Sequence, residues 1–316
     1  MAEKIATREA YGKALVELGE KNKNIVVLDA DLSKSTKTAN FAKKFPERFF
    51  DMGISEADMM TTAAGFATCG KIPFASTFAI FATGRAYEQV RNSICYPKLN
   101  VKIAATHSGI TVGEDGATHQ SVEDLSLMRS IPNMCVICPA DAVETRAAIF
   151  AAVDYKGPVY IRLGRLSVPV IYDENNFKFE LGKSILVKGG KDLTIIAVGI
   201  MVAKALEAAL KLKEEGIDAR VIDMHTIKPV DKEAIVKAAK ETGAIVTCEE
   251  HSIIGGLGSA VAEVLSEEAP VFLKRIGIED KFGQSGAPDK LMELYGLTSD
   301  RIADESRKIL KRLKTK

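Results

Sequence analysis

The sequence predicts an α/β protein of two consecutive open α/β domains, a doubly wound, mostly parallel sheet over residues 1–172 and a smaller α/β sandwich over 173–316. Two observations carry that prediction. Unbroken apolar or β-branched runs, of the kind found in strands covered on both faces, alternate with helical patterns. The alternation is that of a doubly wound sheet. The periodicity then fails from Gly164 to about Gly182, where Pro169 and the Asp173-Glu174-Asn175-Asn176 cluster read as a linker between units.

In order along the first domain, strands are expected at Ile25–Asp31, Val101–Thr106, Met134–Cys138 and Pro158–Leu163. Helices are expected at Arg8–Lys21, Ala57–Cys69, Arg85–Tyr96, Gln120–Arg129 and Ala142–Tyr155. In the second domain, SILVKGGKDLTIIAV reads as a β-hairpin turning through Gly189 and Gly190. After it come helices at Val202–Glu215, Lys232–Thr242, Leu257–Glu268 and Thr298–Leu313, with strands at Ala219–Met224, Ala244–Glu249 and Val271–Ile276.

A chain of 316 residues, 47% apolar and 27% charged, can bury roughly three quarters of its unfolded surface and has room for more than one domain. Its 43 basic and 42 acidic residues leave a net charge of +1. No field of one sign is available to hold nucleic acid or an anionic membrane. No apolar signal segment follows Met1, and the most apolar stretch, Ile72 to Thr83, falls short of the roughly 20 residues that span a bilayer. Five cysteines, an odd number without an export signal, are expected as free thiols in a reducing cytoplasm.

Two motifs suggest chemistry and are better explained by structure. Cys135 and Cys138 have CxxC spacing, but in a strand residues three apart face opposite sides, so the pair is expected in the core rather than on one metal ion. GGLGSAV at Gly255–Val261 resembles a dinucleotide fingerprint, yet four residues from His251 to Ile254 separate it from its strand and Val261 replaces the third glycine. It is expected to be a glycine-rich helix entry.

Two other segments are harder to explain by packing. GISEADMMTTAAGFATCG, Gly53 to Gly70, places Glu56 at the mouth of a helix otherwise nearly free of charge. Ser55 suits the N-cap and a first-turn acid complements the helix dipole, which is one reading of Glu56. The other is that most of the helix is buried and Glu56 goes in with it, as a carboxyl group used in acid or base chemistry. HSGITVGEDGATHQ, His107 to Gln120, follows a strand end, where open α/β sheets bind ligands, and holds two of the four histidines with two acids and three glycines. Asp115-Gly116 alone is a turn signal. The density of titratable groups favours a site.

ATREAYG (Ala6–Gly12), the GISE helix, STFAIF (Ser76–Phe81), the GEDGATHQ loop and IKPVD (Ile227–Asp231) together resemble, in collinear order over essentially the whole chain, the C-terminal half of transketolases. The resemblance implies a pyrimidine-binding domain of the thiamine diphosphate-binding fold followed by a C-terminal domain. It implies thiamine diphosphate as cofactor, with Glu56 sharing a proton with the distal pyrimidine nitrogen, so that the cofactor's own amino group acts as the base. Phe78 and Phe81 would supply aromatic faces for the ring, Phe78 being equally well read as core. His119 and Asp115 would meet sugar hydroxyls, His119 beside the reacting carbon. Arg8, Ser35, His107 and Arg165 would surround a terminal phosphate, where several cationic and hydroxyl donors are needed. Arg162 is the rival of Arg165, which is preferred because it lies beyond the strand end. Gly84 departs from the larger residue that many transketolases carry after the phenylalanines, so that wall of the pocket is expected to differ.

The diphosphate and its Mg2+ or other divalent cation are held in that family by a GDG segment and a following asparagine. The nearest string here, Gly113-Glu114-Asp115-Gly116, belongs to the sugar loop. The chain is therefore expected to hold no metal and to work with a partner subunit carrying the diphosphate-binding domain, as an α2β2 heterotetramer acting on sugar phosphates in the pentose phosphate pathway. Three rivals remain. The beta subunit of a 2-oxo acid dehydrogenase complex has the same length and domain order, but its substrate has no distal phosphate. Deoxyxylulose phosphate synthase shares the DGxTHQ core, though the ATREAYG start favours transketolase. A non-catalytic binding subunit would have little reason to keep Glu56, His107, Asp115 and His119 together.

Overall fold

The computed structural model describes residues 3–315 and contains two parallel-rich sheets. The first has seven strands in the spatial order Thr226–Lys228, Cys135–Ile137, Val159–Arg162, Lys102–Thr106, Ile72–Phe78, Ile25–Asp29 and Phe49–Asp51. All neighbours run parallel except Thr226–Lys228, which joins antiparallel from beyond residue 182. The second has five strands in the order Phe272–Ile278, Ala244–Ser252, Leu193–Ala197, Ala219–Asp223 and Ile185–Lys188. Among the described residues, no helix is long and apolar enough to cross a membrane.

Side-chain alternation along each strand divides the core. Ile25 and Val27 pack on one face of the first sheet with Tyr11, Leu15, Phe74 and Ile149, while Val26 and Leu28 pack on the other with Met59, Met60 and Ile94. This second cluster continues without a break into Ile196, Ile222 and Val261, so the units share apolar core. Cys135 belongs to the first cluster and Cys138 to the second, the opposite-face arrangement expected of a strand, and both are free thiols.

The expected hairpin does not form. Ile185–Lys188 and Leu193–Ala197 both pair with Ala219–Asp223, which lies between them. The physical reason is burial. All five residues of Leu193–Ala197 are inaccessible, and such a strand takes parallel partners on both sides, Ala219–Asp223 and Ala244–Ser252. Ile185–Lys188 is left half-covered at the edge.

Two helices also differ from expectation. The segment expected to be helical from Gln120 does not enter its helix until Asp124, because the buried Gln120 amide donates to the carbonyls of Ile110, Gly113 and Gln284 and Ser121 bridges to Ser108. The segment from Phe81 to Cys95 is two π-helical turns around a short α-turn at Tyr87–Gln89. Short strands at Lys4–Ala6 and Ser167–Pro169, antiparallel to each other, and at Phe49–Asp51 carried too few residues for periodicity to announce them.

The glycine-rich entry to the Leu257–Glu268 helix holds a protein carboxylate where a phosphate would otherwise sit. Glu249, on the preceding strand, accepts the amides of Leu257 (2.7 Å) and Gly258 (2.8 Å). A Cβ at Gly256 would lie 2.0 Å from Glu249 Oε2. The free amides of the helix start are thus satisfied internally.

At the junction of the two units Arg162 and Asp124 form a buried pair. Nε reaches Oδ2 at 2.7 Å and Nη2 reaches Oδ1 at 3.0 Å, Tyr160 Oη donates to Oδ2 at 2.7 Å, and Arg162 Nη2 also donates to Glu250 O at 2.9 Å. Burial opposes the charge on Asp124, but the Arg162 charge and its hydrogen bonds outweigh that penalty and hold the carboxyl below its ordinary range. This contribution to stability is present above the ordinary carboxylate range and is lost as pH falls through the lower folded value. Replacing Asp124 with Ala leaves a buried guanidinium unpaired and should cost about 3–5 kcal/mol. Urea denaturation followed by circular dichroism measures it, and a loss below about 1 kcal/mol would mean that Arg162 finds water or another acceptor.

Candidate active site

The site is built around the carboxyl ends of several parallel strands of the first sheet, with Phe78 ending Ile72–Phe78, His107 following Lys102–Thr106 and Arg165 following Val159–Arg162. Glu56 opens the Glu56–Thr68 helix and is 1% exposed. Ser55 stands at the N-cap without a side-chain capping bond. The helix buries one face, through Glu56, Met59, Met60, Ala63 and Ala64. Asp58, Thr61, Gly65 and Thr68 are exposed, so burial within this chain is less complete than the uncharged sequence led us to expect.

The group facing Glu56 is Arg85, which sequence reasoning missed. Its Nη1 lies 2.9 Å and 2.8 Å from the two carboxylate oxygens. Its guanidinium carbon sits 4.4 Å from the centroid of the Phe81 ring. Arg85 closes the five-residue π-helical turn Phe81–Arg85; the one sequence signal was a lone charge interrupting the apolar run from Ile72. Gly84, in the same turn, is exposed, and a Cβ there would meet nothing nearer than Ile80 Cδ1 at 3.9 Å.

Phe78 ends its strand at 6% exposure and stacks on half-buried Phe81 with centroids 5.9 Å apart. On Phe78 also lies the His107 ring, 3.9 Å away, while His119 stands edge-on to Phe81 at 5.3 Å. Phe78 is buried, as the core reading expects, and it backs Phe81.

His107 follows the strand Lys102–Thr106 in the left-handed backbone region, φ 55°, a conformation sparsely populated by residues other than glycine. Thr106 Oγ1 is 2.9 Å from its Nδ1 and Arg8 Nη1 is 3.4 Å from its Nε2. Burial, then the charges of Arg8, Arg165 and Lys37, pushes its pKa down to about 3, so the ring is neutral at pH 7.

Arg8, from the helix Thr7–Lys21, donates to the Ser35 carbonyl at 2.9 Å, and its Nε is buried without a partner. Ser35 therefore reaches this group through its backbone. Its short helix is tied down by Asp29, which accepts from the hydroxyls of Thr36 (2.6 Å) and Thr38 (2.8 Å). Burial, against those hydrogen bonds, raises the Asp29 carboxyl to about 6. Arg165 lies beyond the strand end, donating to the Val112 carbonyl with Asp115 Oδ2 3.7 Å away. Arg162, its rival, is committed to Asp124.

The second unit supports the His107–Gln120 loop. Glu250 accepts the Thr111 amide at 2.7 Å, and its carboxylate lies where a Cβ on Gly109, φ +76°, would be 2.2 Å from Oε1. Ser285 donates to the Glu114 carbonyl, and Gln284 accepts from Gln120. These hydrogen bonds join residues more than 130 positions apart, and no local pattern announces them.

The arrangement is a buried carboxylate beside a flat aromatic face, flanked by two histidines and then by two arginines. Residues 3–170 match the transketolase pyrimidine-binding domain and residues 182–302 match the transketolase C-terminal domain. A putative transketolase C-terminal section from Methanocaldococcus jannaschii is 55% identical, over 94% of this chain and 93% of that relative. A 6-deoxy-6-sulfo-D-fructose transketolase subunit from Clostridium sp. is 46% identical, over 96% of this chain and 94% of its own length. A solved split-gene transketolase, described as an inactive beta4 tetramer, superposes with a TM-score of 0.91 at 62% identity, over 97% of this chain and 99% of that one. The chain belongs to the transketolase family and carries its pyrimidine-binding and C-terminal domains.

Proposed function

We propose that the chain is the C-terminal subunit of a two-chain, thiamine diphosphate-dependent transketolase that moves a two-carbon ketol unit between ketose and aldose phosphates. The observation that carries the reading is Glu56, a carboxylate 1% exposed beside the Phe81 face. Relatives of the same length named as a transketolase C-terminal section and a transketolase subunit support the split arrangement. So does the exposed, nearly uncharged face of the Glu56–Thr68 helix beside Ile54, which is 76% exposed, because such a surface suits another chain. The assembly we favour is α2β2, with Mg2+ or another divalent cation and the diphosphate on the partner. The free thiols favour a reducing cytoplasm.

The residues present fit the pyrimidine end of the cofactor, since a flat ring bearing a nitrogen needs an aromatic face and a proton-sharing carboxyl. Thiamine diphosphate, when bound, supplies a nucleophilic carbon that no side chain offers. Glu56 holds the proton at the distal pyrimidine nitrogen, and Phe81, backed by Phe78, fixes the plane of the ring. His119 and the neutral His107 line the space next to Phe78 and Phe81, where a sugar's hydroxyls would lie, with Asp115 further out. Arg8, whose buried Nε has no protein partner, and Arg165 bind the distal phosphate. Sugar phosphates are favoured over 2-oxo acids because two arginines and a histidine gathered away from the carboxylate have no task with a 2-oxo acid.

The isolated chain should bind thiamine diphosphate with magnesium weakly and have no transketolase activity. Calorimetry alone and with the partner checks this, and tight stoichiometric binding by the single chain would place the diphosphate site here. Removing Arg165 or Arg8 should act mainly on substrate binding, because an arginine holds the remote phosphate alike before and during reaction. Without one such charge-assisted hydrogen bond, KM for a sugar phosphate should rise roughly tenfold to a hundredfold. Steady-state kinetics with hydroxypyruvate as donor and an unphosphorylated acceptor should show a much smaller effect, and equal effects on both donor types would mean that the arginines are structural.

A further inference from the structure

We infer that Arg85 is a built-in stand-in for the pyrimidine ring, occupying the slot between Glu56 and Phe81 until the cofactor displaces it. The inference rests on reading Glu56 and Phe81 as the pyrimidine site. A guanidinium is flat, carries N–H donors and stacks on aromatic faces, which are the properties by which that slot would recognise an aminopyrimidine. Arg85 uses both, donating from Nη1 to the two Glu56 oxygens at 2.9 Å and 2.8 Å while its guanidinium carbon lies 4.4 Å from the Phe81 centroid. Its position is therefore incompatible with a ring stacked on the same face and bonded to the same carboxyl.

Charge explains why the slot is filled. Glu56 is 1% exposed, and a buried carboxylate without a partner is costly. Among the described residues no other cation is paired with it. The Arg85 side chain is itself 50% exposed, so it can return to water without losing a buried site of its own. The backbone allows this as well. Arg85 ends a π-helical turn and follows the exposed Gly84, at which a Cβ would meet nothing nearer than 3.9 Å, so the turn that carries it is itself open to water.

A slot that is competent only when Arg85 is out binds more weakly by the fraction of time it is out. Arg85→Ala removes that competition and Arg85→Lys keeps the charge but loses the flat stacking group. In the reconstituted two-chain enzyme, titration calorimetry with thiamine diphosphate and magnesium should show a dissociation constant about tenfold tighter for Arg85→Ala if Arg85 is withdrawn roughly a tenth of the time, with Arg85→Lys between it and the wild type. Unchanged or weaker binding by Arg85→Ala would overturn the inference, because it would make Arg85 neutral or a positive contributor to cofactor binding. If Arg85→Ala fails to assemble, Arg85→Lys decides the matter by the same criterion. Adding Glu56→Ala to Arg85→Ala in the same titration separates the two claims, because the double variant has no arginine left to compete. If the double variant binds as tightly as Arg85→Ala, Glu56 does not touch the ring and the pyrimidine reading itself fails, whatever Arg85 does.

Discussion

The buried pair of Arg162 and Asp124 is the constraint from which the geometry of the site follows. It ties the strand Val159–Arg162 to the helix Asp124–Ser130 and, through the Glu250 carbonyl, to the strand Ala244–Ser252 of the second sheet. Once that strand is fixed, the Glu250 carboxylate meets the Thr111 amide and sets the path of the loop that carries Asp115 and His119. Buried pairs of this kind add little net stability compared with apolar packing. Here the pair fixes where two sheets meet, and the loop that lies between them takes its shape from that junction.

A second electrostatic arrangement separates structure from function. Arg162 and Asp124 bond each other through two hydrogen bonds and are further held by the Glu250 carbonyl and the Tyr160 hydroxyl, so both are committed to the fold. Glu56 is as deeply buried but faces a side chain that is half in water, and Arg8 keeps a buried Nε with no acceptor. Native interiors rarely leave such groups so weakly matched. Among the described residues other buried polar atoms also lack a partner, but these two groups stand toward the two ends of the Phe81, Phe78 and His107 ring series, where on the proposed function a ring nitrogen and a phosphate would complete the bonding.

Much of this was legible in the sequence for identifiable reasons. Covered parallel strands announce themselves as unbroken apolar runs, so Lys102–Thr106 and Val159–Arg162 could be placed within a residue or two. The separation of Cys135 from Cys138 followed from strand periodicity. The hairpin through Gly189 and Gly190 failed because adjacency in sequence says nothing about which strand lies between two others. Glu56, His107 and the loop acids stood out as charge where packing wanted none. Arg85 did not, since its role depends on a π-helical turn that changes the angle at which a side chain leaves the backbone. The bonds from Gln120 to Gln284 and from Thr111 to Glu250 were equally hidden, because they join opposite halves of the chain.

The central claim is that Glu56 shares its proton with the pyrimidine ring and thereby activates the cofactor. The most direct measurement is hydrogen–deuterium exchange at the reactive thiazolium carbon, followed by NMR in the reconstituted enzyme, for the wild type and Glu56→Ala. The account predicts exchange slower by about a hundredfold to ten-thousandfold in the variant, the range for loss of a general acid or base. An unchanged exchange rate, in a variant that still binds the cofactor, would contradict it.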